Sequence, residues 1–117
     1  METTVADHNG IRVLQLSGHV GASDLDALIA ELGKLKETPG GKAVLDMALL
    51  KNLPTAAIGA LIELIRSLEN VGGRMVLAAP DPRVRVTLDR LGVSPMVAIT
   101  ESLDEALAEL AAGASGL

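Results

Sequence analysis

Thr55 is the residue of this chain whose type and position best suit chemistry. It follows Pro54 and stands at the head of a long apolar segment with helical spacing, so its hydroxyl would lie at the start of a helix. The first turn of a helix leaves backbone N–H groups unpaired and carries the positive end of the helix dipole, which favours a phosphate group. Two interpretations stay open: a hydroxyl that can receive phosphate, or a threonine that caps the helix.

Asp46 is the second candidate, because it lies near the C-terminal end of an apolar segment, Lys42 to Met47. Such a segment predicts a strand covered on both faces. Ligand sites in open α/β sheets lie beyond the carboxyl ends of the strands. Asp46 would then belong to a polar pole of the sheet, at the end where Thr55 begins its helix. The alternative is a carboxylate that is hydrogen-bonded within the fold.

The composition disfavours other chemistry. The 117 residues include no Cys and two His, so thiolate catalysis and zinc–thiolate sites are excluded and a His-rich metal cluster is not available. The sequence has no phosphate-binding glycine loop of the Walker type and no nucleophile elbow. It has no Phe, Trp or Tyr and a net charge of −5, which argues against direct nucleic-acid binding. We therefore expect no enzymatic activity, no metal and no cofactor.

The spacing of apolar residues and turn signals predicts the elements that position these candidates. Asn9-Gly10 indicates a hairpin between two N-terminal strands, Thr3 to Val5 and Ile11 to Leu16. Helical segments then alternate with apolar strands, in the order ββαβαβαβα. This order predicts an α/β fold with a mixed, mostly parallel sheet and about four helices. We expect the hairpin to lie at one edge of the sheet.

The length of the chain predicts one domain over residues 1–117, with a core from about 3 to 111 and a frayed tail at 112–117. The N-terminus is polar and acidic, unlike a secretory signal. No apolar run approaches the ~20 residues that span a bilayer. We expect a cytoplasmic protein that does not insert into membranes and is a monomer or a weak homodimer.

The helix predicted from Pro54 to Asn70 has an unusual exposed side, because small residues dominate its first turns. A glycine inside a helix costs ~1 kcal/mol relative to alanine, so Gly59 indicates close approach of another backbone. That backbone is either a neighbouring helix of the same domain or a partner. The leucines before the helix are likewise either core or a docking patch. The predicted buried stripe of the helix is Ile58, Leu61, Ile62, Ile65 and Leu68.

Four segments between about Val5 and Leu110 resemble the STAS domain of bacterial anti-sigma factor antagonists in their order and spacing. One matches the family's second strand and first helix, one its "VxLDL" strand, and one its "DSSGLGAL" helix start. The fourth matches the "GGxLxLxxxxxxVxxxLxxxGL" region. The matching segments are Ile11 to Gly18 with the capped helix that follows, Ala43 to Met47, Pro54 to Leu61, and Asn70 to Leu77 with Leu91 to Val93.

This resemblance implies a non-enzymatic module with the STAS fold that regulates transcription by partner switching. Its partner would be an anti-sigma factor that is also a histidine-kinase-like serine kinase. In the family, that kinase phosphorylates the hydroxyl residue that matches Thr55, and the unphosphorylated form docks on the kinase. The implied contact residues are the loop and the small-residue face of the helix: Leu49, Leu50, Lys51, Leu53, Pro54, Thr55, Ala56, Gly59, Ala60 and Glu63.

Three residues differ from the family pattern. Pro54 replaces the Asp before the hydroxyl, Ala57 replaces a glycine of the motif, and Gly21 replaces an acidic residue of the early loop. A member that binds its partner without being phosphorylated fits equally well. An alternative function is that of a STAS accessory subunit of a membrane transport assembly, which would bind a cytoplasmic ATPase.

Overall fold

The apolar strand β3 lies at the centre of the sheet, with two strands on each side of it. The computed structural model describes the backbone of residues 1–115 and the side chains of residues 1–111. Within that part of the chain the strands are β1 (Glu2–His8), β2 (Ile11–Gly18), β3 (Lys42–Leu50), β4 (Arg74–Ala78) and β5 (Ala98–Thr100). The helices are α1 (Leu25–Leu35), α2 (Thr55–Asn70), α3 (Pro82–Arg90) and α4 (Leu103–Ser115).

The sheet order is β1-β2-β3-β4-β5, with β1 antiparallel to β2 and all other neighbours parallel. The predicted element order, the α/β class and the position of the hairpin at a sheet edge are therefore confirmed. Parallel neighbours need crossover helices, and the alternation of strands and helices along the chain supplies them. As a result, the carboxyl ends of β2, β3, β4 and β5 meet at one end of the molecule.

Side chains alternate across the strands and build a separate apolar cluster on each face of the sheet. Leu14 and Leu45 lie in the larger cluster, which is covered by α1, α2 and α3. Val13 and Val44 lie in the smaller cluster, which is covered by α4. Because the parallel strands are covered on both faces, they consist of nearly continuous apolar residues.

Three strands are longer than predicted, since β2 also continues to Gly18 rather than ending at Leu16. β1 covers Glu2–His8 rather than Thr3 to Val5, because Asn9 and Gly10 adopt φ of 54° and 86° and form a tight turn that pairs the two strands along their full length. β3 continues to Leu50 rather than ending at Met47. The pairing register shifts between Gln15 and Ser17 of β2, where β3 advances from Asp46 to Leu49 and so carries one extra residue; the last residues of the two strands pair beyond it.

The end of α2 has the predicted glycine stop. Gly72 has φ of 78°, and the Gly73 N–H donates to the Leu68 carbonyl at 2.8 Å. Gly73 also lies directly against the backbone of Gly41, so that a Cβ atom on Gly73 would be 2.7 Å from the Gly41 carbonyl carbon. This contact joins the start of β3 to the start of β4.

The C-terminal helix is traced to Ser115. The predicted frayed tail at 112–117 therefore overlaps the last turn of α4, and its final two residues lie outside the described residues. None of the helices in the described part of the chain has the length and apolar character needed to cross a membrane.

Candidate partner-docking surface

Asn52 fixes the loop between β3 and α2. Its side-chain oxygen accepts from the Val20 N–H at 2.7 Å, and its side-chain nitrogen donates to the Val20 carbonyl at 3.0 Å. The Lys51 N–H donates to the Gly18 carbonyl at 3.0 Å. The side chain of Asn52 thus continues the pairing of β2 with β3 beyond the end of the strands. This role of Asn52 was not predicted from the sequence; its signal was an Asn in a loop just before a helix start.

The three leucines around this loop divide between core and surface. Leu50 is 1% exposed and Leu53 is 6% exposed, whereas Leu49 is 57% exposed. The expected contact of a partner with Leu50 and Leu53 is therefore wrong at the level of side chains. The extra residue of β3 between Asp46 and Leu49 interrupts the strand alternation, so that Leu50 rather than Leu49 joins Met47 in the larger cluster. Leu53 packs into the core beneath the loop.

Thr55 is the first helical residue of α2, not its cap. The N-cap is Pro54, with φ of −61° and ψ of 138°, and no side-chain hydrogen bond caps this helix. The interpretation of Thr55 as a helix cap is therefore wrong, since a capping hydroxyl must lie one residue earlier and bond back to the first turn. Thr55 is exposed at the positive end of the helix dipole.

Gly59 lies on the exposed side of α2 with open space around it. No heavy atom outside its own neighbourhood lies within 4 Å of the position that a Cβ atom would take. The interpretation that Gly59 packs against a helix of the same domain is therefore wrong. Ala56 is exposed beside it, and Ala60 is half-buried against the core.

Glu63 continues this side of the helix by one turn. Its carboxylate accepts from the Lys36 ammonium at 2.6 Å, which links α2 to the end of α1. Both side chains reach solvent, so the pair contributes little to folding stability and can exchange its partner at small cost. We call the exposed and half-exposed residues around the start of α2 the α2 surface: Leu49, Lys51, Pro54, Thr55, Ala56, Gly59, Ala60 and Glu63.

Charged groups from α3 lie next to the loop of the α2 surface. Hydrogen bonds from the Arg83 guanidinium and the Arg83 N–H lower the pKa of Asp81 below its usual value, and the nearby Lys51 ammonium lowers it further. The same contact raises the pKa of Arg83. An ionised Asp81 is therefore paired with a positively charged Arg83 at this end of the sheet.

Asp46 does not belong to the α2 surface. It is 5% exposed, and strand alternation directs its side chain to the α4 face of the sheet, opposite α2. Its carboxylate accepts from the Ala48 N–H at 3.1 Å and from the Gln15 amide at 3.4 Å. The expected polar pole at Asp46 is therefore a hydrogen-bonded structural carboxylate. No group of three or more metal-ligating side chains occurs among the residues that the structure describes.

Comparisons with known proteins identify the fold. A model of the STAS domain matches residues 2–106. No curated protein sequence matches the chain. An anti-sigma factor antagonist from Mycobacterium paratuberculosis superposes with a TM-score of 0.82 at 23% identity, over 93% of this chain and 92% of that one. The Bacillus cell fate determinant SpoIIAA in its phosphorylated form superposes with a TM-score of 0.70 at 18% identity, over 92% of this chain and 98% of that one.

A transporter-related structure has the same fold. A sulfate transporter family protein from Wolinella succinogenes superposes with a TM-score of 0.71 at 23% identity, over 90% of this chain and 88% of that one. The resemblance stated from the four sequence segments is confirmed by the family match, which covers most of the described chain. The chain belongs to the STAS domain family.

Proposed function

We propose that this protein is a non-enzymatic regulatory module that binds an anti-sigma factor through the α2 surface. The partner would be a histidine-kinase-like serine kinase in the cytoplasm, and its capture would release a sigma factor and so regulate transcription. Support comes from the family membership and from two structural neighbours that are described as an anti-sigma factor antagonist and as a phosphorylated cell fate determinant.

Gly59 is the observation that carries this proposal. The chain keeps a helix-weakening residue at an exposed position where its own fold leaves the space empty. A missing side chain at such a position is useful to a partner whose backbone approaches closely. Ala56 on the previous turn and Leu49 near the end of β3 are exposed, and they add a small and an apolar side chain to the α2 surface.

Thr55 is the proposed switch of this surface. Its side chain is exposed, and it lies in the first turn of α2. A phosphate there would be favoured by the free N–H groups and the dipole of the helix. The same phosphate would add a charge of about −2 and considerable bulk to a surface made for close approach, and it would thereby release the partner. Pro54 in place of the family's Asp makes binding without phosphorylation the competing form of the proposal.

Gly59→Arg tests the docking surface. We expect this variant to fold, because the helix has room for the side chain, and to lose at least about tenfold in affinity for the anti-sigma factor, which equals ~1.4 kcal/mol. Titration calorimetry with the purified partner measures the affinity, and circular dichroism measures the fold. Ala108→Arg is the matched control, since Ala108 is exposed on α4, across the sheet. Unchanged binding by Gly59→Arg would disprove the docking surface.

Incubation with the kinase and ATP tests the switch. We expect a mass increase of one phosphate on the parent protein and none on Thr55→Ala. Thr55→Glu should bind the partner more weakly than Thr55→Ala, because only the glutamate places negative charge in the contact. A phosphate that persists on Thr55→Ala would assign the switch to another residue. No mass change on either protein would leave the docking proposal standing without a switch.

A second candidate function is that of an accessory subunit of a membrane transport assembly, binding a cytoplasmic ATPase. The observation that favours it is the fold shared with a sulfate transporter family protein. The two functions differ in the protein that the α2 surface captures. Co-purification with transporter subunits, lost in Gly59→Arg and retained in Ala108→Arg, would favour this candidate over the anti-sigma factor.

A further inference from the structure

Strand β1 is exposed on both faces. All seven residues, Glu2–His8, are exposed, and Val5 is 53% exposed. The strand lies at the edge of the sheet and pairs with β2 along its whole length. Within the part of the chain that the structure describes, its outer side faces no other strand. An edge strand of this length offers a row of backbone N–H and C=O groups for pairing with another chain.

The sequence of β1 has two carboxylates, Glu2 and Asp7, but lacks the other features that normally protect such an edge. It contains no Lys, Pro or Gly, and its pairing with β2 has no register shift. Three consecutive residues in its first half, Thr3 to Val5, are β-branched and favour extended backbone. The strand is therefore well suited to accept another strand on its outer side.

The hairpin turn determines which residues present their backbone groups outward. A two-residue turn at Asn9 and Gly10 makes His8 and Ile11 the hydrogen-bonded pair that closes the hairpin. Since inward and outward residues alternate along an antiparallel strand, the outward residues are Asp7, Val5 and Thr3. Val5 is thus the middle residue of the outer edge.

We propose that β1 pairs antiparallel with β1 of a second copy of this chain, around a twofold axis at Val5. Each outward residue then meets an outward residue of the partner copy, Val5 with Val5 and Thr3 with Asp7, as a hydrogen-bonded ladder requires. The five-stranded sheets of the two copies would join into one continuous sheet.

The side chains of β1 are complementary in this antiparallel arrangement but not in a parallel pairing in register. Around an axis at Val5, the Glu2 carboxylate lies opposite the His8 imidazole, and the Asp7 carboxylate lies opposite the Thr3 hydroxyl. A parallel pairing in register would instead place Glu2 against Glu2 and Asp7 against Asp7, which repel. This match of acceptors with donors indicates a second copy, rather than an unrelated strand, as the occupant of the edge.

Val5→Lys tests the proposal by sedimentation equilibrium. We expect the parent protein to form a dimer whose dissociation constant rises at least about tenfold in Val5→Lys, because two ammonium groups would meet at the axis. Val86→Lys is the matched control, since Val86 is 54% exposed on α3 and should leave the dimer unchanged. Circular dichroism checks that both variants are folded.

Val5→Cys gives a second, positional test. The chain has no cysteine, so a single thiol is introduced. Directly opposed residues of a hydrogen-bonded antiparallel pair have Cα atoms ~5.5 Å apart, which is within the range that a disulfide can bridge. Mild oxidation should yield a covalent dimer from Val5→Cys and none from Val86→Cys at the same concentration.

Three outcomes would overturn the proposal. They are a parent protein that sediments as a monomer at all concentrations, a dimer that persists unchanged in Val5→Lys, and equal cross-linking of Val5→Cys and Val86→Cys. None of these measurements includes the anti-sigma factor, so failure here is independent of failure at the α2 surface.

Discussion

Gly59 and Gly73 are the same residue type in opposite environments. Gly59 lies inside α2 with open space at its Cβ position, whereas Gly73 is pressed against the Gly41 backbone. The first glycine lowers helix stability without a packing gain inside the chain, while the second permits a close backbone contact. Only Gly59 therefore indicates a contact with another molecule.

Alanine substitutions should separate these two roles. We expect Gly59→Ala to raise the free energy of unfolding by about 0.5–1 kcal/mol, because alanine favours the helix and meets no neighbour. Gly73→Ala should lower it, because the added methyl group overlaps the Gly41 carbonyl. Urea unfolding measures both. Equal effects from the two variants would contradict the environments described for them.

At the scale of elements, the α2 surface depends on the connection between β3 and α2. The end of β3 pairs with the end of β2 beyond a register shift, and the side chain of Asn52 holds the following loop to Val20. Pro54 then starts the helix with an extended backbone. Leu49 before this connection and Thr55 after it are both exposed.

Asn52→Ala should therefore disturb the loop and the protein's stability. Both backbone groups of Val20 would lose their partner in a partly buried site, which costs about 1–3 kcal/mol. Chemical denaturation measures the loss. Asn70→Ala is the control, since Asn70 is exposed at the end of α2 and should change stability by no more than about 0.5 kcal/mol. A loss as small in Asn52→Ala as in the control would show that the loop is held by other contacts.

At the scale of the whole molecule, the sheet is covered unequally. Three helices pack on the larger cluster, whereas in the described chain α4 alone supplies helical residues to the smaller one, through Ala106 and Leu110. Without α4, the valines of β2, β3 and β4 on this face would be exposed to water. The last helix is thus part of the folding unit rather than an appendage.

Truncation tests this dependence. Removal of residues 103–117 should abolish cooperative thermal unfolding, because an apolar sheet face becomes exposed. Removal of residues 112–117 should leave the melting temperature nearly unchanged if the core ends at about residue 111. Differential scanning calorimetry distinguishes the two. A cooperative transition in the protein that lacks residues 103–117 would mean that α4 is dispensable for the fold.

Much of the fold could be predicted from the sequence, because periodicity and turn residues act locally. The alternation of apolar strands with helical segments determined the element order, and Asn9-Gly10 determined the hairpin at the sheet edge. The small residues at the start of α2 also identified its unusual exposed side. The four family-like segments were then enough to recognise the STAS domain.

Only the tertiary structure determined which individual residues belong to the α2 surface. Leu49 and Leu50 have the same side chain, and the register shift between β2 and β3 decides which of them faces solvent. Asp46 was expected to share a pole with Thr55, but strand alternation places it across the sheet. Strand register and helix position depend on contacts between residues that are distant in sequence. A local sequence pattern therefore determines which strands and helices form. The pairing and packing of those elements determines which side chains a partner can reach.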